Sequence, residues 1–217
     1  MIAAVCTRYG PPEVLEIREA AKPVPKRGQV LVKIHASTVS SSDTFVRSGI
    51  PAAPLSTRMM MRLLVGFTRP RKRILGLVLA GEVEDTVGSV EGFRVEDRVY
   101  AFTKFRFGAY GEYVCLPGAS TIGHAPSNIS LEEAAAVPYG GLLSLHYLRK
   151  GAIRAGYRVL IYGASGAVGT SAVQLAKHFG AEVTAVCSNA NLDLVRSLGA
   201  DATIDYTKTD VPEPGLA

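Results

Sequence analysis

The stretch from Val159 to Gly169, Val-Leu-Ile-Tyr-Gly-Ala-Ser-Gly-Ala-Val-Gly, constrains the fold of this chain more than any other segment. A short apolar run rich in β-branched residues stops at glycine, turns through small residues and opens a helical pattern that ends at Gly180. Val159 to Tyr162 is too short for a helix and reads as a buried parallel strand. Val168, Ala172, Leu175, Ala176 and Phe179 then recur at helical spacing, with Lys177 and His178 off that stripe. Glu182 to Val186 reads as a second buried strand, Asn191 to Leu198 as a second helix stopped by Gly199, and Ala202 to Tyr206 as a third strand. The order β-α-β-α-β is the mononucleotide-binding half of a doubly wound sheet, in which a dinucleotide pyrophosphate rests on a helix N-terminus.

The glycine pattern is imperfect. Ala164 takes the first position of G-x-G-x-x-G in Ala164-Ser165-Gly166-Ala167-Val168-Gly169, so the motif draws its weight from the strand before it and the helix after it. Gly166 lets the backbone approach a phosphate, and Gly169 lets helix and strand pack closely. The candidate cofactor contacts are therefore Gly163, Ala164, Ser165, Gly166, Ala167 and Val168. At the end of the second strand, Ser188 and Asn189 join them. No acid follows that strand until Asp193, and an Asp or Glu there is what grips the ribose 2′-hydroxyl of NADH. NADPH is the expected cofactor, with NADH as the alternative.

The first half of the chain has a different grain. Ile2–Thr7, Glu13–Ile17, Val30–Ser37, Leu77–Val83, Arg98–Phe102 and Gly111–Leu116 are short alternating runs, and Gly10-Pro11-Pro12 and Pro23-Val24-Pro25 are turns between them. This predicts a mostly β domain over residues 1–124, followed by an α/β domain over residues 125–217. After the boundary, Ser130 with Glu133 forms a capping box that opens a helix, and a further helix runs from Gly140 to about Lys150.

Cys6, Cys115 and Cys187 are scattered and odd in number, which fits reduced thiols in a cytoplasmic protein and not a disulfide framework. No apolar run approaches bilayer length and no basic leader precedes Ile2, so neither a membrane partner nor a signal peptide is expected. The net charge of +5 comes largely from Arg58 to Arg73. That segment reads as a solvated loop with a short amphipathic helix carrying Met59, Met60, Leu63, Leu64 and Phe67. Nucleic-acid contact, anionic-membrane contact and steering of a phosphorylated cofactor are the minor alternatives, and no aromatic–basic interleaving or nucleic-acid motif accompanies the charge.

With these motifs in hand, the chain resembles the medium-chain dehydrogenase/reductase superfamily, in its zinc-independent quinone oxidoreductase (zeta-crystallin-like) branch. The resemblance rests on Tyr9-Gly10-Pro11-Pro12-Glu13-Val14-Leu15, Val30-Leu31-Val32-Lys33-Ile34, Asp43 through Arg47-Ser48-Gly49, and Gly108-Ala109-Tyr110-Gly111-Glu112-Tyr113-Val114. It continues through Glu132-Glu133-Ala134-Ala135-Ala136-Val137-Pro138, Tyr162 to Gly169, Ser197-Leu198-Gly199-Ala200-Asp201 and Ile204-Asp205-Tyr206. It implies a GroES-like β domain followed by a partial Rossmann sheet, NADPH between them, and hydride transfer to a quinone or an activated enone or carbonyl. Tyr206 matches a family tyrosine near the adenosine phosphate, and Lys208 can add charge there. Where zinc-dependent relatives carry ligands, this chain has Ser40, Gly76-Leu77-Val78 and Gly140-Gly141, so no metal is expected. Ser40, Asp43 and Tyr139 are the candidate catalytic residues, with Tyr110 a further polar candidate and Phe45 and Phe107 as walls.

Family members run on for roughly a hundred residues more, which marks this chain as C-terminally truncated relative to them. The usual dimer edge lies in the part it lacks, so a homo-oligomer is left open, and the first cofactor strand is expected to present a hydrophobic edge. A non-catalytic NADPH-binding remnant or redox sensor is the alternative function. Two substitutions add to these departures: Glu96 and Val87 stand where relatives have glycine, and a positive φ at either would be strained.

Overall fold

The computed structural model describes residues 1–49 and 54–209, and its backbone follows the two grains of the sequence. In the first unit, Met1–Pro138, β1 (Ile2–Cys6) and β2 (Leu15–Glu19) pair antiparallel as a small ribbon. The main sheet has five antiparallel strands: β3 (Gln29–Ser37), β4 (Val78–Val87), β5 (Arg98–Phe102), β6 (Tyr113–Pro117) and β7 (Ile122–His124), in the order β6-β3-β4-β5-β7. The inward residues of these runs meet in one core, with Val30 and Val32 from β3, Leu79 and Val83 from β4, Val99 from β5 and Leu116 from β6. Burying each such side chain is worth roughly 1.5–3 kcal/mol. The strand β7 is an addition to the sequence reading; three residues around a glycine carry too little alternation to announce it.

Two helices interrupt the strands, α1 (Ser41–Ser48) and α2 (Leu55–Val65). Both glycine substitutions resolve in the loops of this unit. Val87 ends β4 opposite Gln29, and the left-handed position falls on Gly88 instead, so the expected strain is absent. Glu96 does take a positive φ of 73°, inside the turn that closes Val83 back onto Asp97.

The compact units divide at Pro138, whereas the sequence reading sets the domain boundary after residue 124. The reason is packing: β7 pairs with β5, and Ala134 and Ala135 are buried against Ala80 of the main sheet. The helix that crosses this division, α3 (Leu131–Lys150), is continuous where the sequence suggested two. It opens on the expected capping box, in which the Ser130 amide donates to Glu133 and the Glu133 amide donates to Ser130. Pro138 is accommodated inside it at the cost of one helical hydrogen bond.

The second unit, Tyr139–Ala217, holds β8 (Arg158–Tyr162), α4 (Ala167–His178), β9 (Glu182–Cys187), α5 (Leu192–Ser197) and β10 (Ala202–Asp205). The strands are parallel in the order β10-β9-β8, and the register runs from Arg158 beside Glu182 to Tyr162 beside Val186. The core gathers Val173 and Ala176 of α4, Val183 and Ala185 of β9 and Val195 of α5. The strand β8 is less buried than its sequence suggests: Ile161 is buried, but Leu160 and Tyr162 are exposed. Among the described residues it has a neighbour on one side only.

Candidate functional site

The turn between β8 and α4 is built by backbone that only small residues permit. Gly163 sits at φ 73°, in the left-handed region, and bends the chain off the strand. The Ala164 side chain is fully buried and its amide donates to the Val186 carbonyl, which rivets the turn to β9. Gly169 closes the packing underneath: a Cβ there would lie 2.2 Å from the Gly163 carbonyl and 2.6 Å from the Ala164 Cα. Gly140 does the same from α3, where a Cβ would lie 2.2 Å from the Ala167 carbonyl. The buried Ser144 hydroxyl donates to the Val168 carbonyl at 2.7 Å and locks α3 to the first turn of α4.

That leaves the N-terminus of α4 presented outward. Gly166 is its cap, with an extended backbone and no side-chain capping bond, and Gly166 and Ala167 are exposed. The first-turn amides of a helix have no partner inside it and carry its positive dipole end, so an uncapped, exposed N-terminus is fitted to an anion. A Cβ added at Gly166 would meet only the Gly163 carbonyl, at 3.4 Å. The cradle is open, with room for a group to come against the backbone. These are the features a pyrophosphate needs.

The end of β9 adds the second wall. The Asn191 side-chain amide donates to Ser165 Oγ at 3.3 Å and to Ser188 Oγ at 3.2 Å, joining the phosphate turn to the strand end. Sequence reading placed Ser165 and Ser188 here but passed over Asn191; its place after the second strand was the only signal. Asn189 is exposed, and Lys208 Nζ lies 3.5 Å from its Oδ1. Lys208 also lies 3.8 Å from Asp205 Oδ2. The Asp205 carboxyl is held below its usual range, first by the Thr207 hydroxyl, so it stays ionised beside the lysine. Tyr206 stacks on Tyr162 with ring centroids 6.2 Å apart, and both rings are exposed. All ten sequence-predicted cofactor residues therefore lie in the second unit, on the turn, the end of β9 or the segment after β10.

The catalytic candidates divide between the two units. Ser40 caps α1 and Asp43 completes a capping box: the Ser40 amide and hydroxyl both donate to Asp43 Oδ2, at 2.9 and 2.6 Å. Asp43 is buried, and its Oδ1 has no hydrogen-bond partner among the described residues. The Tyr110 phenol is pushed well above its usual range, chiefly by burial and then by the Asp43 carboxylate. Phe107 is buried while Phe45 is exposed. Tyr139 lies on α3 in the other unit and is half-buried. Among the described residues, no cluster of three His, Cys, Asp or Glu is arranged to hold a metal. No described helix is long and apolar enough to cross a membrane.

Comparison with known proteins agrees with both halves of this picture. Residues 26–127 match the alcohol dehydrogenase GroES-like domain, and residues 167–214 match the zinc-binding dehydrogenase family. The chain belongs to the medium-chain dehydrogenase/reductase superfamily. Within it, the chain is 34% identical to the mitochondrial NAD(P)H oxidoreductase RTN4IP1 of mouse, over 98% of this chain and 56% of that protein. The quinone oxidoreductase of Coxiella burnetii superposes with a TM-score of 0.83 at 30% identity, covering 97% of this chain and 63% of that one. A mycobacterial protein solved in complex with NADPH superposes with a TM-score of 0.76 at 29% identity, over 94% of this chain and 58% of that one. The chain thus spans little more than half the length of its curated relatives.

Proposed function

We propose that this chain binds NADPH on the second unit and serves a zinc-independent reduction of a quinone or an activated enone or carbonyl. The observation that carries the proposal is the uncapped N-terminus of α4 above the Gly163–Gly169 turn, with a cradle at Gly166 that a Cβ would narrow. Bound there, a nicotinamide dinucleotide supplies the hydride for a two-electron reduction. The chain's own part is to hold the pyrophosphate with the amides of Ala167 and Val168 and to keep the turn rigid through Ala164, Gly169 and Asn191. The preference for NADPH over NADH rests on the neutral Ser188 and Asn189 at the strand end and on Lys208 beside them. An acid at that place would repel a 2′-phosphate.

The zinc-independent reading rests on donor chemistry: the hydroxyl of Ser40 is committed to the α1 cap, and Leu77 and Val78 offer no donor atom. We assign Ser40 and Asp43 the work of positioning α1, and keep Tyr139 as the candidate polar contact to the acceptor. The names of the relatives, quinone oxidoreductase and NAD(P)H oxidoreductase, support the reaction class.

Mixing the purified chain with NADPH and an ortho-quinone and following loss of the reduced-nicotinamide absorbance tests the reading. Turnover supports it. Saturable NADPH binding with no turnover would favour the second reading, a non-catalytic NADPH binder. Absence of binding would refute both.

A further inference from the structure

The helix α2 is built inside out. At 100° per residue, Leu55, Met59, Met60, Leu63 and Leu64 occupy one broad half of its circumference, and each is more than half exposed. The half turned to the protein carries Met61 and Val65 together with Arg58 and Arg62. The Arg62 guanidinium lies over the Tyr9 ring at 5.5 Å, and the Tyr9 hydroxyl donates to the Gly66 carbonyl at 2.7 Å, pinning the helix end. An ordinary surface helix does the reverse, with arginines outward and leucines inward. Phe67, also more than half exposed, extends the apolar strip past the helix.

Charge follows directly after it. The Arg71 amide donates to the Val65 carbonyl, which folds the loop back onto the end of α2, and Arg69, Arg71, Lys72 and Arg73 of this loop are exposed. From Thr44 to Gly81 the sequence contains no Asp or Glu. The segment is therefore apolar on the outer side of the helix, basic in the loop that follows and without an acid of its own.

From this charge complementarity we propose that α2 and its basic loop form a contact surface for an anionic lipid bilayer, with the apolar strip entering the headgroup boundary and the arginines paired with lipid phosphates. A convex, single-helix surface suits a plane better than it suits a peptide. The sequence reading expected no membrane partner and kept anionic-membrane contact only as a minor alternative for this segment; the outward turn of the apolar residues is visible only in the fold. The proposal does not depend on the reaction proposed above.

The chain has no tryptophan, so Leu63→Trp places a single reporter on the exposed strip. The test is titration of this variant with vesicles of phosphatidylcholine alone and of phosphatidylcholine with phosphatidylglycerol, alongside vesicle sedimentation of the unaltered chain. The expected result is a blue shift and binding on anionic vesicles only, weakened by salt. Arg69→Gln, Arg71→Gln and Arg73→Gln together should weaken binding on the order of 100-fold, at about fivefold per removed charge near an anionic surface. Met60→Asp with Leu64→Asp should lose it while leaving circular dichroism unchanged, both positions being exposed. Equal binding to neutral vesicles, no binding, or binding that survives Met60→Asp with Leu64→Asp would overturn the proposal. So would a dimer that these two substitutions dissolve.

Discussion

Replacing Gly166 by Ala separates cofactor binding from folding more cleanly than any other change in the second unit. Gly166 has φ −80° and ψ 169°, which any L-residue adopts, and its new Cβ would lie 3.4 Å from the Gly163 carbonyl, an ordinary contact. The backbone is therefore unstrained, and the roughly 0.4–1 kcal/mol gained from the smaller entropy of alanine in the unfolded chain offsets an N-cap loss of about the same size, so stability should change little. The methyl group, however, stands in the exposed cradle above the α4 amides, where a pyrophosphate must come against the backbone. Holding the phosphate one carbon radius further out weakens a charge-assisted hydrogen bond worth roughly 1.5–3 kcal/mol, which corresponds to about a 10- to 100-fold loss of affinity. Thermal unfolding and calorimetric titration with NADPH on the same preparation read the two effects together. The contrast is Gly169→Ala, whose Cβ would lie 2.2 Å from the Gly163 carbonyl; overpacking of that kind should cost roughly 1–3 kcal/mol of stability. If Gly166→Ala binds NADPH as the parent does, the phosphate does not sit on α4 and the reasoning fails.

Three further outcomes are expected. Glu96→Gly should raise stability by about 0.5–1 kcal/mol in urea unfolding, because the left-handed backbone at φ 73° costs an L-residue more than glycine loses in entropy; a loss of stability would contradict that balance. Asp43→Ala should cost about 1–2 kcal/mol, since it removes the carboxylate that accepts from the Ser40 amide and hydroxyl, and a drop in activity without loss of stability would instead give Asp43 a direct chemical role. The Asp201 carboxyl is held below its ordinary 3.8, first by Lys177 and then by the Val183 amide. A depressed carboxyl adds stability above its unfolded value that is lost as pH falls through the folded one, so Asp201→Asn should flatten the acid limb of the stability profile below about pH 4. An acid limb identical to the parent's would contradict it.

How much of this was legible in the sequence depends on where the deciding contacts lie. The turn at Gly163–Gly169, the Ser130–Glu133 capping box and the parallel strands were readable because each is fixed by neighbours a few residues away. The continuity of α3 was not: Pro138 reads as a break, and it is tolerated because Ala134 and Ala135 pack against Ala80, far away in the chain. Asn191 was passed over for the same reason, as its partners Ser165 and Ser188 come together only when β8 and β9 pair. Ser40 and Asp43 were read as polar site candidates and not as a pair; the structure joins them in a capping box, whose spacing and that of a polar site are alike. The outward face of α2 was the largest surprise, since periodicity reports that a helix has an apolar side without saying which way that side turns.

Hydrogen exchange of the chain with and without NADPH tests the central claim most directly, because it locates the cofactor on the backbone. The account predicts slowed exchange at the amides of Ser165 to Val168, with smaller protection from Ser188 to Asn191 and from Tyr206 to Lys208. No protection at the start of α4, or protection confined to the first unit, would contradict it.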